Sequence, residues 1–488
     1  MYQQKLDSPR SPQHTKIVFT AGPSTQDIKV LQELLLKGVD IARLNMAHAD
    51  HKWCKKVIHN IREAARITGK DISILMDVKG PEIRTRDLPQ TIHLKKSDIV
   101  EFFYQPSDPN LKLDLPKVAR GRRVGVNYKG IADDLSVGDT LLVDSGLIHM
   151  RVVELSNHVV YCQVEVPGPL GSRRHINLPG VHVKIPALTE KDRADVEFGI
   201  SQDIDFFALS FVRESDDLEL LRTYLRENGS DAEIIAKIED QMGVTNLQEI
   251  IEASDGLMVA RGDLGIEVPF EELAVFQREA VNECLSRGKP VIIATHMLES
   301  MIENPMPTRA EITDISNAVR EMADCVMLSG ETTIGKYPVE CVTVMRRIVA
   351  RIQDEIGSGH NYDLKLNTPK EKMLRSAVVL AEELENTGIL VFTRSGSLAR
   401  MMSALRPNGV PLFGFTDDKQ VYKKMKILWG IEPFFMDFDT DPELTIRSAI
   451  NTLKSKMWVK SGQHLIAITN VLGMGDQIID SIQLRDVD

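Results

Sequence analysis

In the run Ile-Ala-Lys-Ile-Glu-Asp, Lys237 and Glu239 stand two residues apart. On a strand that spacing sends both side chains from the same face. A second apolar run, Leu257 to Val259, leads into Ala-Arg-Gly-Asp-Leu-Gly and carries Asp263. One fixed amine and two carboxylates at neighbouring strand ends suit a phosphate, a divalent metal and a small acid. Glu239 and Asp263 offer hard oxygen ligands, and no Cys or His joins them in sequence. That choice favours Mg2+ or Mn2+, with substrate and water filling the rest of the shell. A lysine beside such an ion can stabilise a phosphoryl group in transfer, because positioning and charge neutralisation are most of what an enzyme contributes to that reaction. Arg43 can clamp phosphate oxygens in a two-pronged fashion. The Gly-rich stretch 260–265 closely precedes a helical segment, and its N–H groups could hold a carboxylate. The competing reading of Lys237 and Glu239 is a structural ion pair.

These residues need a frame that brings strand ends together. Short apolar runs ending in polar or charged residues recur at 16–20, 39–44, 72–76, 206–209, 234–235, 257–259, 291–294 and 326–328. They end around Arg43, Asn45 and His48, in Asp77 and Lys79, in Ser210, in Thr295 and His296, and in Ser329, Gly330 and Glu331. Runs of this length between helical segments read as parallel strands buried on both faces. Eight strand–helix units predict a (β/α)8 TIM barrel whose site lies at the C-terminal strand ends. Two segments break the rhythm. Residues 87–183 carry short β-like runs separated by turn residues, which predicts a small all-β domain, a β-barrel lid inserted in a loop over the site. From about Gly357, Gly-Ser-Gly-His-Asn-Tyr-Asp reads as a linker, followed by a C-terminal α/β domain with a mostly parallel sheet. The expected division is 1–86 with 184–357 for the barrel, 87–183 for the insertion and 358–488 for the C-terminal domain.

The chain has 488 residues, too many for one core. It is 43% hydrophobic and 26% charged, as in soluble globular proteins. A net charge of -11 without a dominant basic stretch argues against a nucleic-acid partner, so anionic ligands need local Lys and Arg. Five cysteines without Cys-x-x-Cys spacing fit a reducing compartment. No apolar run is long enough to span a bilayer and residues 1–14 contain no apolar signal segment, which predicts a cytoplasmic protein with no membrane partner.

Ala-Arg-Leu-Asn-Met-Ala-His at 42–48, Asp-Val-Lys-Gly-Pro-Glu-Ile-Arg-Thr at 77–85, and the two runs holding Lys237 and Asp263 resemble the motifs of pyruvate kinase. So do Ala-Thr-His-Met-Leu-Glu-Ser-Met, Asn-Pro-Met-Pro-Thr-Arg-Ala-Glu and Met-Leu-Ser-Gly-Glu-Thr, in family order over nearly the whole chain. The resemblance implies Mg2+-dependent transfer of the phosphoryl group of phosphoenolpyruvate to ADP, giving pyruvate and ATP. By position it implies that Lys237 stabilises the transferring group and that Arg43 grips the phosphate. Glu239 and Asp263 would bind the divalent ion. The backbone at Gly262 and Asp263, with Thr295, would hold the pyruvate end. Asn45 to His48 and Arg84 would face the nucleotide, as would Arg174, where the family commonly has Lys. Thr295 or Ser329 would relay a proton to the enolate. A homotetramer is implied as well.

Three departures from the family pattern stand out. At the monovalent-cation site Asn45, Asp77 and the carbonyl of Val78 stay available, but Ala47 replaces a Ser; Glu82 is kept, as in members that need K+. The expectation is K+ binding that is weakened. His296 stands where Gln is usual. Thr393, Arg394, Ser395, Gly396 and Ser397 resemble the effector-phosphate loop, while the later loop 470–476 is short and lacks basic and aromatic residues. That pairing points to a sugar phosphate or nucleotide monophosphate effector. Two other readings remain at this stage: a phosphoenolpyruvate mutase or C–C lyase on the same barrel, and a non-catalytic sugar-phosphate sensor.

Overall fold

The computed structural model describes residues 13–106, 120–156, 158–355, 364–472 and 478–488. The linker expected at 357–363 and most of the short loop at 470–476 lie outside them. Eight parallel strands close into a barrel. In chain order they are β1 (Lys16–Thr20), β2 (Ile41–Asn45), β3 (Ser73–Val78), β4 (Phe206–Leu209), β5 (Glu233–Ile238), β6 (Gly256–Ala260), β7 (Val291–Ala294) and β8 (Cys325–Leu328). Each pairs with its sequence neighbours, and β1 closes on β8 through Ile17 opposite Val326. The second and third strands run one and two residues further towards their C-terminal ends than their apolar runs suggest, because Asn45, Asp77 and Val78 keep the ladder going. The helix Ile28–Lys37 starts on the side chain of Asp27 and stops at Gly38, whose φ of 93° favours glycine.

Side-chain alternation splits each strand between two cores. Ile17, Phe19, Ala42, Leu44, Ile74, Met76, Ile234 and Ala236 pack outward under the helices. Val18, Ile41, Leu75, Phe206, Ile235 and Met258 point inward. That inner layer continues without a break into Leu374, Val378, Met402, Ile427 and Leu428 of the C-terminal domain. The lower end of the barrel is therefore sealed by apolar packing, and polar chemistry is left to the upper end.

Between β3 and the helix Glu190–Ser201 the chain makes a six-stranded sheet with its own core, built on Val100, Phe102, Val124, Leu141, Met150 and Val164. Its edge strands are Ile176–Asn177 and Arg122–Val126. The segment at Arg84 and Thr85 lies between these two edges, with Arg84 bridged to His175 and Thr85 to Val126. The strands Arg122–Val126 and Ile176–Asn177 were not anticipated; neither carries a long apolar alternation. After residue 364 a five-stranded sheet follows. Four strands are parallel, and Ile478–Asp486 adds an antiparallel edge against His464–Leu472. Its run of mixed charges hid it in the sequence.

Candidate active site

The inward positions just above the apolar layer are Arg43 on β2, Asp77 on β3, Ser210 after β4, and Lys237 on β5. Arg43 follows Ile41, Asp77 follows Leu75, and Lys237 follows Ile235, each two residues along the same face. Barrel closure brings these four together. The ammonium of Lys237 donates to Ser210 Oγ at 2.7 Å and to Asp77 Oδ1 at 3.1 Å, and lies 2.9 Å from Glu239 Oε1. Arg43 donates from Nε to Asp77 Oδ2 at 2.7 Å and from Nη1 to Thr20 Oγ1 at 3.0 Å. The Ser210 hydroxyl also donates to the Val78 carbonyl at 2.8 Å. All of these side chains are buried.

Burial shapes the charges. Desolvation alone would discharge Lys237, but Asp77 and Glu239 outweigh it and hold its pKa above the ordinary value. Desolvation also opposes ionisation of Asp77, yet Lys237 and Arg43 prevail and hold its pKa down. At Glu239 burial wins: its pKa rises to about 7, with Lys237 opposing and Asp263 and Asp77 adding to the rise. A carboxylate held among other carboxylates in low dielectric is a place where a cation is stabilising. The ion pair of Lys237 with Glu239 does exist, but it is one contact in a cluster of opposite charges.

Thr295 and His296 both adopt left-handed backbone, φ 72° and 56°. A β-branched residue in that region is a genuine outlier. The turn aims Thr295 Oγ1 at the Gly262 amide, which donates to it at 2.8 Å. Arg261 supports the turn, donating to the Thr295 carbonyl at 2.6 Å and pairing with Asp314 at 2.7 Å. The stretch from Arg261 to Glu267, expected as a loop, is itself a short helix.

A cavity of about 650 Å³ opens beside this cluster, lined by Thr20, Arg43, Asn45, His48, Trp53 and Ser329 among others. The Ser329 hydroxyl is buried without a partner among the described residues. Arg84 and Arg174 do not line this cavity. Arg84 makes a two-pronged contact with Glu82, at 2.7 and 2.9 Å. Arg174 pairs with Asp144 of the inserted sheet at 3.1 Å. Lys79 lies 3.0 Å from Glu82, so this carboxylate already has two cationic partners, which hold its pKa near 2 against the opposing effect of burial. The expected K+ ligands are engaged as well: Asn45 Oδ1 accepts from the Ala47 amide, Val78 O from Ser210, and Asp77 from Arg43 and Lys237.

At the C-terminal domain a cavity of about 330 Å³ is lined by Lys370, Thr393, Arg394, Ser395 and Ser397. Thr393 Oγ1 accepts from the Gly396 amide at 2.9 Å, and Gly396 has φ 81° before the helix Ser397–Ala404. Arg394 pairs with Asp417 at 3.1 Å.

Sequence reasoning missed Ser210, Phe211 and Trp53 at the barrel mouth. Ser210 was legible only as the last residue of an apolar run. Phe211 enters through its backbone, and Trp53 through a helix whose apolar face gives no separate signal.

Residues 12–342 match the family description "Pyruvate kinase, barrel domain", and residues 371–477 match "Pyruvate kinase, alpha/beta domain". The chain is 40% identical over 94% of its length to pyruvate kinase isozyme G, chloroplastic, of Nicotiana tabacum, covering 80% of that protein. It is 38% identical over 96% of its length to pyruvate kinase of Dictyostelium discoideum, covering 93% of it. A crystal structure of a pyruvate kinase from Cryptosporidium parvum superposes with a TM-score of 0.90 at 34% identity, over 98% of this chain and 96% of the other.

Proposed function

The chain belongs to the pyruvate kinase family and transfers the phosphoryl group of phosphoenolpyruvate to ADP; we propose that the buried cluster around Lys237 performs that transfer. The observation that carries this reading is the triple grip on the Lys237 ammonium by Ser210, Asp77 and Glu239. It fixes a full positive charge, shielded from water, at the inner face of the barrel mouth. Arg43, held by Asp77 and Thr20, supplies the second cation for the phosphate. As the bond from phosphorus to the enolate oxygen breaks and the bond to the ADP oxygen forms, negative charge spreads over the phosphoryl oxygens. Lys237 and Arg43 stabilise it there without reorganising. The enolate left behind takes a proton at its terminal carbon, with the unpartnered Ser329 hydroxyl or Thr295 serving as the relay.

Glu239 and Asp263 fit a divalent ion. They are oxygen donors, and burial, with Asp263 and Asp77 adding to it, raises the Glu239 pKa, so an added cation would stabilise its charged form. Two carboxylates would supply part of the ion's shell, and substrate and water would supply the rest. When bound, Mg2+ or Mn2+ neutralises charge on substrate oxygens. Gly262, Asp263 and Thr295 hold the carboxylate end. Asn45, His48 and Trp53 form one wall of the nucleotide site; Arg84, at the junction with the inserted domain, and Arg174, within it, would join that wall as the insertion closes as a lid over the barrel mouth. For K+, the Asn45, Asp77 and Val78 oxygens remain the candidate ligands, and binding is weak because each already has a protein partner. Thr393 to Ser397 take the phosphate of a monophosphorylated effector. A homotetramer accords with exposed Phe270 and Met306. No helix of the described residues is long and apolar enough to cross a membrane, and we assign the chain to the cytoplasm.

A coupled assay of ADP-dependent pyruvate formation tests the assignment. Turnover without nucleotide would instead support a mutase or lyase, and no turnover a sensor.

A further inference from the structure

Glu239 is held at both oxygens. Its Oε1 faces the Lys237 ammonium at 2.9 Å, and its Oε2 accepts from the backbone amide of Phe211 at 2.8 Å. That amide can point into the site because Phe211 sits in the left-handed region, φ 54°. For a bulky residue this backbone is an outlier, and such outliers persist where the surroundings enforce them. The neighbours enforce it here. Ser210 is tied by its hydroxyl to Lys237 and to the Val78 carbonyl, and the Val212 amide donates to the Lys237 carbonyl at 3.3 Å. Three successive residues after β4 are thus each fastened to Lys237 or Glu239, and Ser210 to β3 as well. The ring of Phe211 lies on the other side, edge-on to His175 of the inserted sheet at 5.9 Å.

We propose that Phe211 is a positioning residue for the metal-binding carboxylate, acting through its left-handed amide and not through its ring. With one oxygen fixed by an ammonium and the other by an N–H, the plane of the Glu239 carboxyl is set, and the remaining lone pairs face the ion without a search over rotamers. Partners of metal ligands that act in this way commonly govern affinity as strongly as tenfold to a hundredfold. The inference rests on Glu239 being a ligand.

The test separates backbone from ring. Asn and Gly accept left-handed backbone readily, Ala less so, and β-branched Val poorly. Binding of Mn2+ to the substrate-free protein, read from the loss of the free-ion electron paramagnetic resonance signal, should be kept within about threefold in Phe211→Asn and Phe211→Gly and weakened roughly tenfold or more in Phe211→Val. Phe211→Ala should fall between, and it serves if the Val variant does not fold. Affinities that instead follow apolarity, with Val retained and Asn and Gly lost, overturn the proposal. So do equal affinities across the series. Glu239→Gln is measured alongside. If it leaves Mn2+ binding unchanged, the ligand assignment itself fails; if it weakens binding while the Phe211 series stays flat, only the positioning role fails.

Discussion

At the residue scale the barrel mouth concentrates opposite charge out of water. In the role proposed for it, Lys237 stabilises charge that develops only during transfer, so its loss should appear in turnover and not in ground-state binding. Lys237→Met is expected to lower kcat by roughly a hundredfold or more, with the KM for phosphoenolpyruvate nearly unchanged. Steady-state kinetics would contradict this if turnover stayed near normal. Glu82 gives a second expectation. Its negative charge has Lys79 and Arg84 as partners, so activity needs K+ less than a family member with an unpaired carboxylate there. Titration should show activation that saturates at higher K+ than in an Ala47→Ser variant, which restores a hydroxyl ligand. Full activity in a bulky organic cation alone would show the site to be dispensable.

At the scale of elements, the joint between barrel and insertion is the feature with consequences. Asn177, on the last strand of the inserted sheet, donates to Glu267 Oε1 at 2.8 Å at the end of the short helix that begins with Arg261. Burial raises the Glu267 pKa to about 7, with Asn177 opposing and Asp240 and Asp263 adding to the rise. The sign follows from proton binding. Between the ordinary 4.5 and about 7 the folded state holds more protons than the unfolded one, so this group's contribution to stability is full at low pH and is lost as pH rises through that window. Glu267→Gln keeps the acceptor for Asn177 and removes the titration. Melting temperature against pH should then be flatter between pH 4.5 and 7 than in the parent; parallel curves would show that Glu267 is charged throughout. The same joint must flex if the insertion closes over bound substrates to exclude water. Small-angle scattering with and without Mg2+ and nucleotide should show compaction, and superimposable curves would count against a moving lid.

Over the whole molecule, the C-terminal domain is fastened to the lower end of the barrel. Arg406 and Asp324 form an ion pair at 2.7 Å with both side chains 2% exposed. Asp324 also accepts the amides of Trp429 and Val291, and Arg406 lies over the Trp429 ring at 5.0 Å. One carboxylate therefore joins β7 and β8 to the C-terminal sheet. Removing it leaves a buried guanidinium unpaired. Asp324→Ala is expected to cost about 3–5 kcal/mol, visible as a lower first transition in calorimetry. An unchanged profile would mean that this ion pair does not carry the junction. An effector bound at Thr393–Ser397, as proposed, would have to act on the barrel across this junction. If no phosphorylated metabolite shifts the affinity for phosphoenolpyruvate, or if Arg394→Ala leaves activation unchanged, the loop does not regulate.

Strand alternation and turn residues are local properties of the chain, and they made legible the barrel, four of the six strands of the inserted sheet and the four parallel strands of the C-terminal sheet. Residue order also singled out Arg43, Lys237, Glu239 and Asp263 as charge following apolar runs, and the family resemblance added Asp77. What those residues touch was decided only by closure of the sheet. Lys237 meets Asp77 across 160 positions, and Arg406 meets Asp324 across 82. Neither pairing leaves a trace in local pattern. The counter-charge of Glu82 was in plain view at Lys79 and Arg84, yet nothing in their spacing says that both would turn towards it. Phe211 shows the limit most clearly: its contribution to the site is a backbone N–H aimed by a dihedral angle, and that angle is imposed by the ties on either side of it, not by the identity of its side chain.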